Sequence, residues 1–185
     1  ARTYAAFGYY NEAMQASRRA MYLSEALPSQ EKYLIAANHY RIANDTDKAI
    51  ESYQNLVKTS PNSAMIQFDL GTLYEQSGKL DQAREHFVKV VELDPKFVEG
   101  LLARGRIEIR RRQPQDALAH LNGALALAVQ LNNEEARSNI LHATGVAYAR
   151  LGRPEEAQRQ FEPSLEIKRR LNDKRRSSSA ASTWQ

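Results

Sequence analysis

The chain has 185 residues, of which 42% are hydrophobic and 26% charged, and it contains no cysteine. This length allows one or two domains with a substantial core, and the lack of cysteine excludes disulfide bonds, thiolate nucleophiles and cysteine-ligated metal sites. Residues 1–97 carry 11 basic and 12 acidic residues, whereas residues 98–185 carry 15 and 10, so a modest preference for acidic partners is expected in the second half.

Small residues recur along the chain with a period close to 34. Five alanines occupy one phase of this period: Ala13, Ala49, Ala83, Ala117 and Ala157. The fullest copy of the pattern spans residues 64–97 and adds aromatic and turn residues at fixed places: Leu70, Gly71, Tyr74, Gly78, Ala83, Phe87 and Pro95. Such repetition indicates an array of similar units, each of which packs on its neighbours.

Each full unit is predicted to be a pair of amphipathic helices. In the unit at 64–97, apolar residues spaced by three or four place the helices at about 65–77 and 80–93. In chain order we predict a partial unit at 1–29, units at 30–63 and 64–97, an extended unit at 98–137, a unit at 138–171, and a truncated sixth unit or a tail at 172–185. Since the first and last units are incomplete and the chain lacks an initiator Met, we expect a fragment of a longer array.

Glycine, asparagine and proline mark the predicted helix ends. Gly78, Gly152 and Asn44 suit the left-handed residue that ends a helix. Pro163 lies inside the last predicted helix. Gly123 occupies the equivalent place in the preceding unit, 40 residues earlier, and a bend is expected at both places.

The unit at 64–97 resembles a tetratricopeptide (TPR) repeat, the 34-residue helix–turn–helix unit with an L-G-x-x-Y, G, A-x-x-x-F and P signature. The resemblance implies an all-α fold, a right-handed superhelical solenoid of antiparallel helix hairpins, that binds peptides or proteins. Residues 22–35 are more weakly similar to TPR arrays attached to bacterial signalling kinases and cyclases. The other units depart from the signature at Ala37, Asn44, Glu108 and Arg112, and the units at 98–137 and 138–171 also lack the closing proline.

Few residues have the spacing that a catalytic, phosphate-binding or metal-binding site requires. The four histidines, which are His39, His86, His120 and His142, never lie three or four residues apart, so no helix presents a paired metal site. No phosphate-binding loop and no nucleophile–base set occurs. We therefore expect no enzyme activity, no cofactor, no metal and no small-molecule substrate.

Nucleic acids and membranes are also disfavoured as partners. Arginines cluster at 104–112 and basic residues at 168–176, but neither cluster contains an aromatic residue on which bases could stack. Solvated helix ends are the simpler interpretation of these clusters. No apolar stretch approaches the ~20 residues that span a bilayer, so we expect a cytoplasmic chain without a membrane contact.

In TPR arrays the first helix of each hairpin faces the concave groove, and the resemblance assigns partner-binding residues there. They are Glu31, Leu34, Asn38, Arg41 and Ile42, then Met65, Phe68, Thr72 and Glu75, then Glu99, Leu102, Arg106, Ile109 and Arg110, then Asn139, His142, Val146 and Arg150. Apolar members would anchor a helix or extended segment, and arginines would bind its carboxylates. For each apolar member, a place in the core between repeats is the alternative.

One binding mode known in TPR arrays is disfavoured. Chaperone-binding members hold an acidic C-terminal tail with a clamp of Lys, Asn and Arg residues. Asn38 matches one place of this clamp, but Leu34, Asp69, Glu99 and Ala103 occupy the others. Two of these residues are acidic and would repel a carboxylate.

We therefore predict a protein–protein interaction scaffold that binds a peptide or helix with acidic and apolar residues. Two alternatives stay open. The chain could be the regulatory or sensory segment of a larger signalling enzyme whose catalytic domain lies elsewhere. It could also be a self-assembly module, since a stack with two open ends exposes apolar faces that allow an end-to-end homo-oligomer.

Overall fold

The computed structural model of the chain describes the backbone of residues 9–182 and the side chains of residues 9–174. Within these residues there are nine α-helices and no β-strand, which confirms the all-α prediction. They are α1 (Tyr10–Leu23), α2 (Ser29–Ile42), α3 (Thr46–Thr59), α4 (Ala64–Gln76), α5 (Leu80–Leu93), α6 (Val98–Arg110), α7 (Pro114–Gln130), α8 (Glu134–Arg150) and α9 (Pro154–Ser182). The predicted opening helix at residues 1–8, and residues 183–185, lie outside the described residues.

The helices form two compact units, which divide between Leu93 and Asp94. In the first unit, α1 to α5, each helix packs against the next. In the second unit, α6 to α9, each helix does the same, and α6 also packs against α8. The pairs α2/α3, α4/α5, α6/α7 and α8/α9 are the antiparallel hairpins that the repeat pattern predicts. A right-handed superhelical course of the whole array stays a prediction.

Small residues bring the two helices of a hairpin close together. The repeated alanines are almost fully buried, and Ala49, Ala83 and Ala117 expose 0% of their surface. Three glycines on first helices face a large side chain on the second helix so closely that a Cβ would overlap it. The pairs are Gly71 with Phe87, Gly105 with Leu121 and Gly145 with Phe161, at 2.8, 2.6 and 2.5 Å from the built Cβ.

The hairpin turns share one geometry although their residues differ. Each has one residue in the left-handed region, namely Asn44 (φ 56°), Gly78 (φ 72°), Arg112 (φ 63°) and Gly152 (φ 70°), and Asn132 (φ 52°) does the same between α7 and α8. The next residue donates its backbone N–H to the carbonyl five residues earlier, at 2.8–3.0 Å. This bond ends the helix as in a Schellman motif, so the turn forms even where arginine replaces glycine.

The six residues added to the extended unit lengthen two helices. α7 and α8 have 17 residues each, whereas α6 has 13. α7 continues to Gln130 and α8 begins at Glu134, with Asn133 as its N-cap. The added length is therefore shared between the second helix of one hairpin and the first helix of the next.

α9 is longer than the sequence predicts. It is one helix of 29 residues that continues through Pro163 and past Asn172. Residues 172–182, which the sequence left open between a truncated sixth unit and a tail, continue this helix. Just after Pro163 the helix is held to α8 by a reciprocal pair of bonds: Ser138 Oγ donates to the Ser164 carbonyl at 2.9 Å, and Ser164 Oγ donates to the Ser138 carbonyl at 2.8 Å.

Candidate functional site

The first helices of the first unit, α2 and α4, carry nine of the predicted partner-binding residues, and we call this surface the α2–α4 face. Its exposed members are Glu31, Leu34, Arg41 and Met65; its part-buried members are Asn38, Ile42, Phe68 and Thr72; its buried member is Glu75. Leu34 exposes 43% and Met65 57% of its surface. Because such exposure is unusual for large apolar side chains, these two are the best candidate anchors of the α2–α4 face.

Arg41 is held in place by a network that joins three helices. Its Nη1 donates to the Tyr53 hydroxyl at 3.3 Å and lies 3.7 Å from Asp69 Oδ1. The Tyr53 hydroxyl in turn donates to Asp69 Oδ2 at 2.9 Å. Burial, and then the Asp69 charge, raise the pKa of Tyr53, so the phenol stays a donor. The guanidinium is therefore oriented before any partner arrives, while Asp69 balances part of its charge.

A polar cleft of about 250 Å³ opens beside this network. The α2–α3 turn and the end of α4 line it with Tyr40, Arg41, Asn44, Thr46, Ala49, Leu73 and Gln76. Four of these side chains are hydroxyl or amide groups, which donate and accept hydrogen bonds. The cleft can therefore exchange hydrogen bonds with polar groups of a ligand.

Two residues of the α2 and α4 helices bear on the acidic-tail clamp. The Asn38 amide donates to the Leu34 carbonyl of its own helix at 2.8 Å. Asp69, which stands at a clamp place, is bound to Tyr53 and Arg41. A terminal carboxylate would meet the Asp69 charge here, which Arg41 partly balances, and the exclusion of the acidic tail stays a prediction.

In the second unit the predicted residues of α6 and α8 divide into exposed and core groups. Glu99, Arg106, Arg110, Asn139, His142 and Arg150 are exposed. Leu102 and Ile109 expose only 8% and 9% and belong to the hydrophobic core, against which Val146 also packs. For these apolar residues the structure shows the core environment that the sequence left open as the alternative. We call the exposed group the α6–α8 face, and it is polar and mostly basic.

His39 and His86 each lie within hydrogen-bond distance of a side chain on a neighbouring helix. Nδ1 of His86 lies 2.6 Å from Gln67 Oε1, and its ring stacks on Tyr74 with centroids 5.4 Å apart. Nδ1 of His39 lies 3.0 Å from Ser17 Oγ. Burial is the main cause that lowers the pKa of both histidines, followed by Lys89 for His86 and by Arg18 for His39. Among the described residues, no group of three or more potential ligands is placed to hold a metal ion.

The sequence interpretation missed a second cleft, between α8 and α9. It has about 210 Å³ and is lined by Glu135, Ser138, Asn139, Lys168, Leu171 and Asn172. Of these residues only Asn139 was predicted as a binding residue. The sequence contained one indication of this cleft. When the last two hairpins are aligned with a shift of 40 residues, Lys168 takes the place of Ala128 of α7.

Comparisons with known proteins agree with this architecture. Two family models, both described as tetratricopeptide repeat, match residues 34–97 and 98–170. BBS4, a BBSome complex member from Bos taurus, is 34% identical over 73 residues, which are 40% of this chain but only 14% of that relative. The chain thus spans a small part of that protein's length.

Solved structures share the fold at low sequence identity. MamA superposes with a TM-score of 0.71 at 17% identity, over 92% of this chain and 95% of that one. BtubC from P. vanneervenii gives 0.75 at 18%, over 91% and 77%. The TPR2B domain of yeast Sti1, in a complex with pHsp70, gives 0.61 at 20%, over 65% and 97%.

No helix within residues 9–182 combines the length and apolar character needed to cross a bilayer. At these identities the solved structures are evidence for the fold alone. The two family models, however, together cover well over half of the sequence. The chain belongs to the tetratricopeptide repeat family.

Proposed function

We propose that the chain is a protein–protein interaction scaffold that binds a peptide or helix of a partner on the first-helix faces of its hairpins. The observation that supports this proposal is that Leu34 and Met65 of the α2–α4 face are exposed and that Arg41 is held in place by Tyr53. Apolar anchors beside a fixed charged group are what peptide-binding surfaces require. The Sti1 domain, which has the same fold, is in a complex with pHsp70, and this supports a peptide as the ligand.

The α6–α8 face favours acidic residues in the partner. Arg106, Arg110 and Arg150 are exposed on it, against one acidic member, Glu99. Guanidinium groups bind carboxylates with two parallel hydrogen bonds. Since Leu102 and Ile109 are in the core, the second unit would contribute charge and the first unit apolar contact.

The test begins with affinity capture on the 185-residue chain, followed by mass spectrometry and titration of the purified partner. We expect Arg106→Glu with Arg110→Glu, and separately Leu34→Ala with Met65→Ala, to weaken binding at least tenfold. Arg159→Glu and Val129→Ala are the controls, because both residues are exposed but lie off these faces. Unchanged affinity in both groove variants would exclude the first-helix faces.

A self-assembly role is a second candidate, favoured by the apolar surface of α1. Tyr22 exposes 76%, Leu23 62% and Tyr10 54% of its surface. Sedimentation velocity over a range of concentrations would detect association, and Tyr22→Ser with Leu23→Ser should then yield monomers. A chain that sediments as a monomer at all concentrations would rule this role out.

A further inference from the structure

The second unit contains two equivalent helices, α7 and α9, and within the described residues they differ in how much of their surface is covered by other helices. A shift of 40 residues aligns α7 with α9, so that Leu125 and Ala128 correspond to Leu165 and Lys168. On α7 the side that carries Leu125 and Ala128 is packed. Ala128 is 1% exposed, and Leu125 lies against the core cluster that also contains Ala136 of α8. On α9 the corresponding Leu165 is 50% exposed. α9 therefore has, on the side that α8 covers in α7, room for one more helix.

The residues on this side of α9 differ in charge from their counterparts on α7. Lys168 stands in place of the buried Ala128, and Arg169 in place of Val129. Lys168 is exposed and lines the 210 Å³ cleft together with Leu171 and Asn172 of α9 and with Glu135 of α8. Arg170, in contrast, is bound to Glu134. We call Leu165, Lys168, Leu171 and Asn172 the α9 face.

The charge decides which helix the α9 face can accept. α8 covers α7 with the apolar residues Ala136, Ile140 and Ala143. A helix of that kind on α9 would take the Lys168 ammonium out of water and supply no carboxylate to it, leaving Glu135 as the acidic residue that lines the same cleft. Removing a charge from water without adding a partner for it is unfavourable. A helix that brings a carboxylate to Lys168 avoids this cost and still covers Leu165.

We propose that the α9 face binds an amphipathic helix of a partner protein, in which acidic residues flank an apolar stripe. Leu165 receives the stripe, and Lys168 and Arg169 pair with the carboxylates. A second copy of this chain fits less well. Its α1 helix, the first of the first unit, carries the exposed Arg18 and Arg19, which would face the positive charge of Lys168. This surface lies on a second helix of a hairpin and adjoins the α6–α8 face at Asn139, which lines the same cleft.

A peptide based on α8 tests the proposal, because α8 is the helix that covers the matching side of α7. The probes are synthetic peptides of residues 133–151 with a fluorescent label: the natural sequence, Ala136→Glu and Ala136→Lys. Their binding to the 185-residue chain is measured by fluorescence anisotropy. We expect the Ala136→Glu peptide to bind at least fivefold more tightly than the natural peptide.

Substitutions in the chain locate the binding site of the peptide. Lys168→Glu should remove the preference for the Ala136→Glu peptide and create one for Ala136→Lys, and Leu165→Ala should weaken both by severalfold. Arg159→Glu is the matched control: it reverses another exposed charge of α9, nine residues or two and a half turns from Lys168 and so on the opposite side. Because these side chains are exposed, the variants should keep the helical circular dichroism of the natural chain.

Three results would overturn the proposal. In the first, the Ala136→Glu peptide has no advantage over the natural one. In the second, Arg159→Glu weakens binding as much as Lys168→Glu, which indicates general electrostatic attraction. In the third, the chain self-associates in sedimentation and Lys168→Glu or Leu165→Ala makes it monomeric, so that the occupant is a second copy. These variants change no residue of the first-helix faces, so the proposed binding of a partner on those faces is tested by a different set of variants.

Discussion

Two glycines of the second unit show how the surroundings of one residue decide its role. A Cβ on Gly105 would lie 2.6 Å from Leu121, whereas a Cβ on Gly123 would have no atom within 4 Å. Gly105 therefore sets the distance between α6 and α7. Gly123 is exposed in the middle of α7, where glycine only weakens the helix.

We predict opposite effects for the same substitution at these two sites. Gly105→Ala should lower the free energy of unfolding by about 1–3 kcal/mol, because the added methyl overlaps a packed leucine. Gly123→Ala should raise it by about 0.5–1 kcal/mol through helix propensity. Urea denaturation followed by circular dichroism measures both. Equal effects would show that the close α6–α7 contact is not what requires glycine.

His86 predicts how stability responds to acid. Burial and Lys89 lower its pKa, against Glu85, which raises it. The unfolded chain therefore takes up a proton near pH 6.5, while the folded chain does so only at lower pH. The stabilisation is complete above about pH 6.5, and it is lost as the pH falls from there through the lower pKa of the folded chain.

Replacing His86 with a residue that does not titrate should remove this dependence. His86→Gln keeps a donor for Gln67 Oε1, which now accepts from His86. Between pH 7.5 and 5.5 the natural chain should lose more stability than the variant, and the difference should be small because solvent screens a part-exposed ring. Urea titrations at the two pH values give the difference. A larger loss in His86→Gln would contradict the assignment.

At the scale of elements, α9 combines a helix-breaking residue with a strong attachment to α8. Proline lacks the N–H that the helix interior needs and crowds the carbonyl four residues earlier. Yet α9 passes through Pro163, and the next residue, Ser164, is buried and bonded to Ser138. Packing against α8 therefore outweighs the local cost of the proline.

Removing Pro163 should make that cost visible. We predict that Pro163→Ala raises the free energy of unfolding by about 1–3 kcal/mol, since a helix interior regains its hydrogen bond. Pro154→Ala is the matched control and should change stability by less than about 0.5 kcal/mol, because the first helical residue has no such bond to lose. Thermal and urea unfolding of the three chains provide the comparison. Equal shifts for both variants would mean that Pro163 imposes no strain.

The elements also show what the sequence could and could not predict. The spacing of Ala49, Ala83 and Ala117 predicted the helix pairs, since only small residues permit such close contact. The sequence left Leu102 and Ile109 open between groove and core, because α6 has apolar residues on several sides. Its packing against both α7 and α8 selects the core side.

The end of α9 shows the same limit. Leu171-Asn172 repeats Leu131-Asn132, yet Asn132 adopts the left-handed turn and Asn172 continues the helix. A turn of this kind is stabilised when the helix after it can be buried. Ala136 after the first turn is 5% exposed in the core, whereas the corresponding residue after Asn172 is Arg176. Local pattern alone does not contain this difference.

At the scale of the whole molecule, the two units have separate sets of packed helices. In repeat arrays each hairpin contacts its neighbours, and local stability follows from those contacts. A change in the core of one unit should therefore be felt most strongly within that unit. Phe87 offers a suitable site, because it is fully buried over Gly71 and near Phe68, with ring centroids 5.8 Å apart.

Phe87→Leu should loosen the first unit while leaving the second intact. Leucine already occupies the equivalent place in the next hairpin, as Leu121 over Gly105, so the variant should fold, with a loss of about 1 kcal/mol. Hydrogen exchange with mass spectrometry should show faster exchange in α4, α5 and the adjoining α3, with α8 and α9 unchanged. Leu121→Ala is the reciprocal variant and should speed exchange in α6 and α7 more than in α2 and α3. An equal increase in both units, from either variant, would mean that the array unfolds as a single cooperative body, because only complete unfolding exposes the amides of both units together.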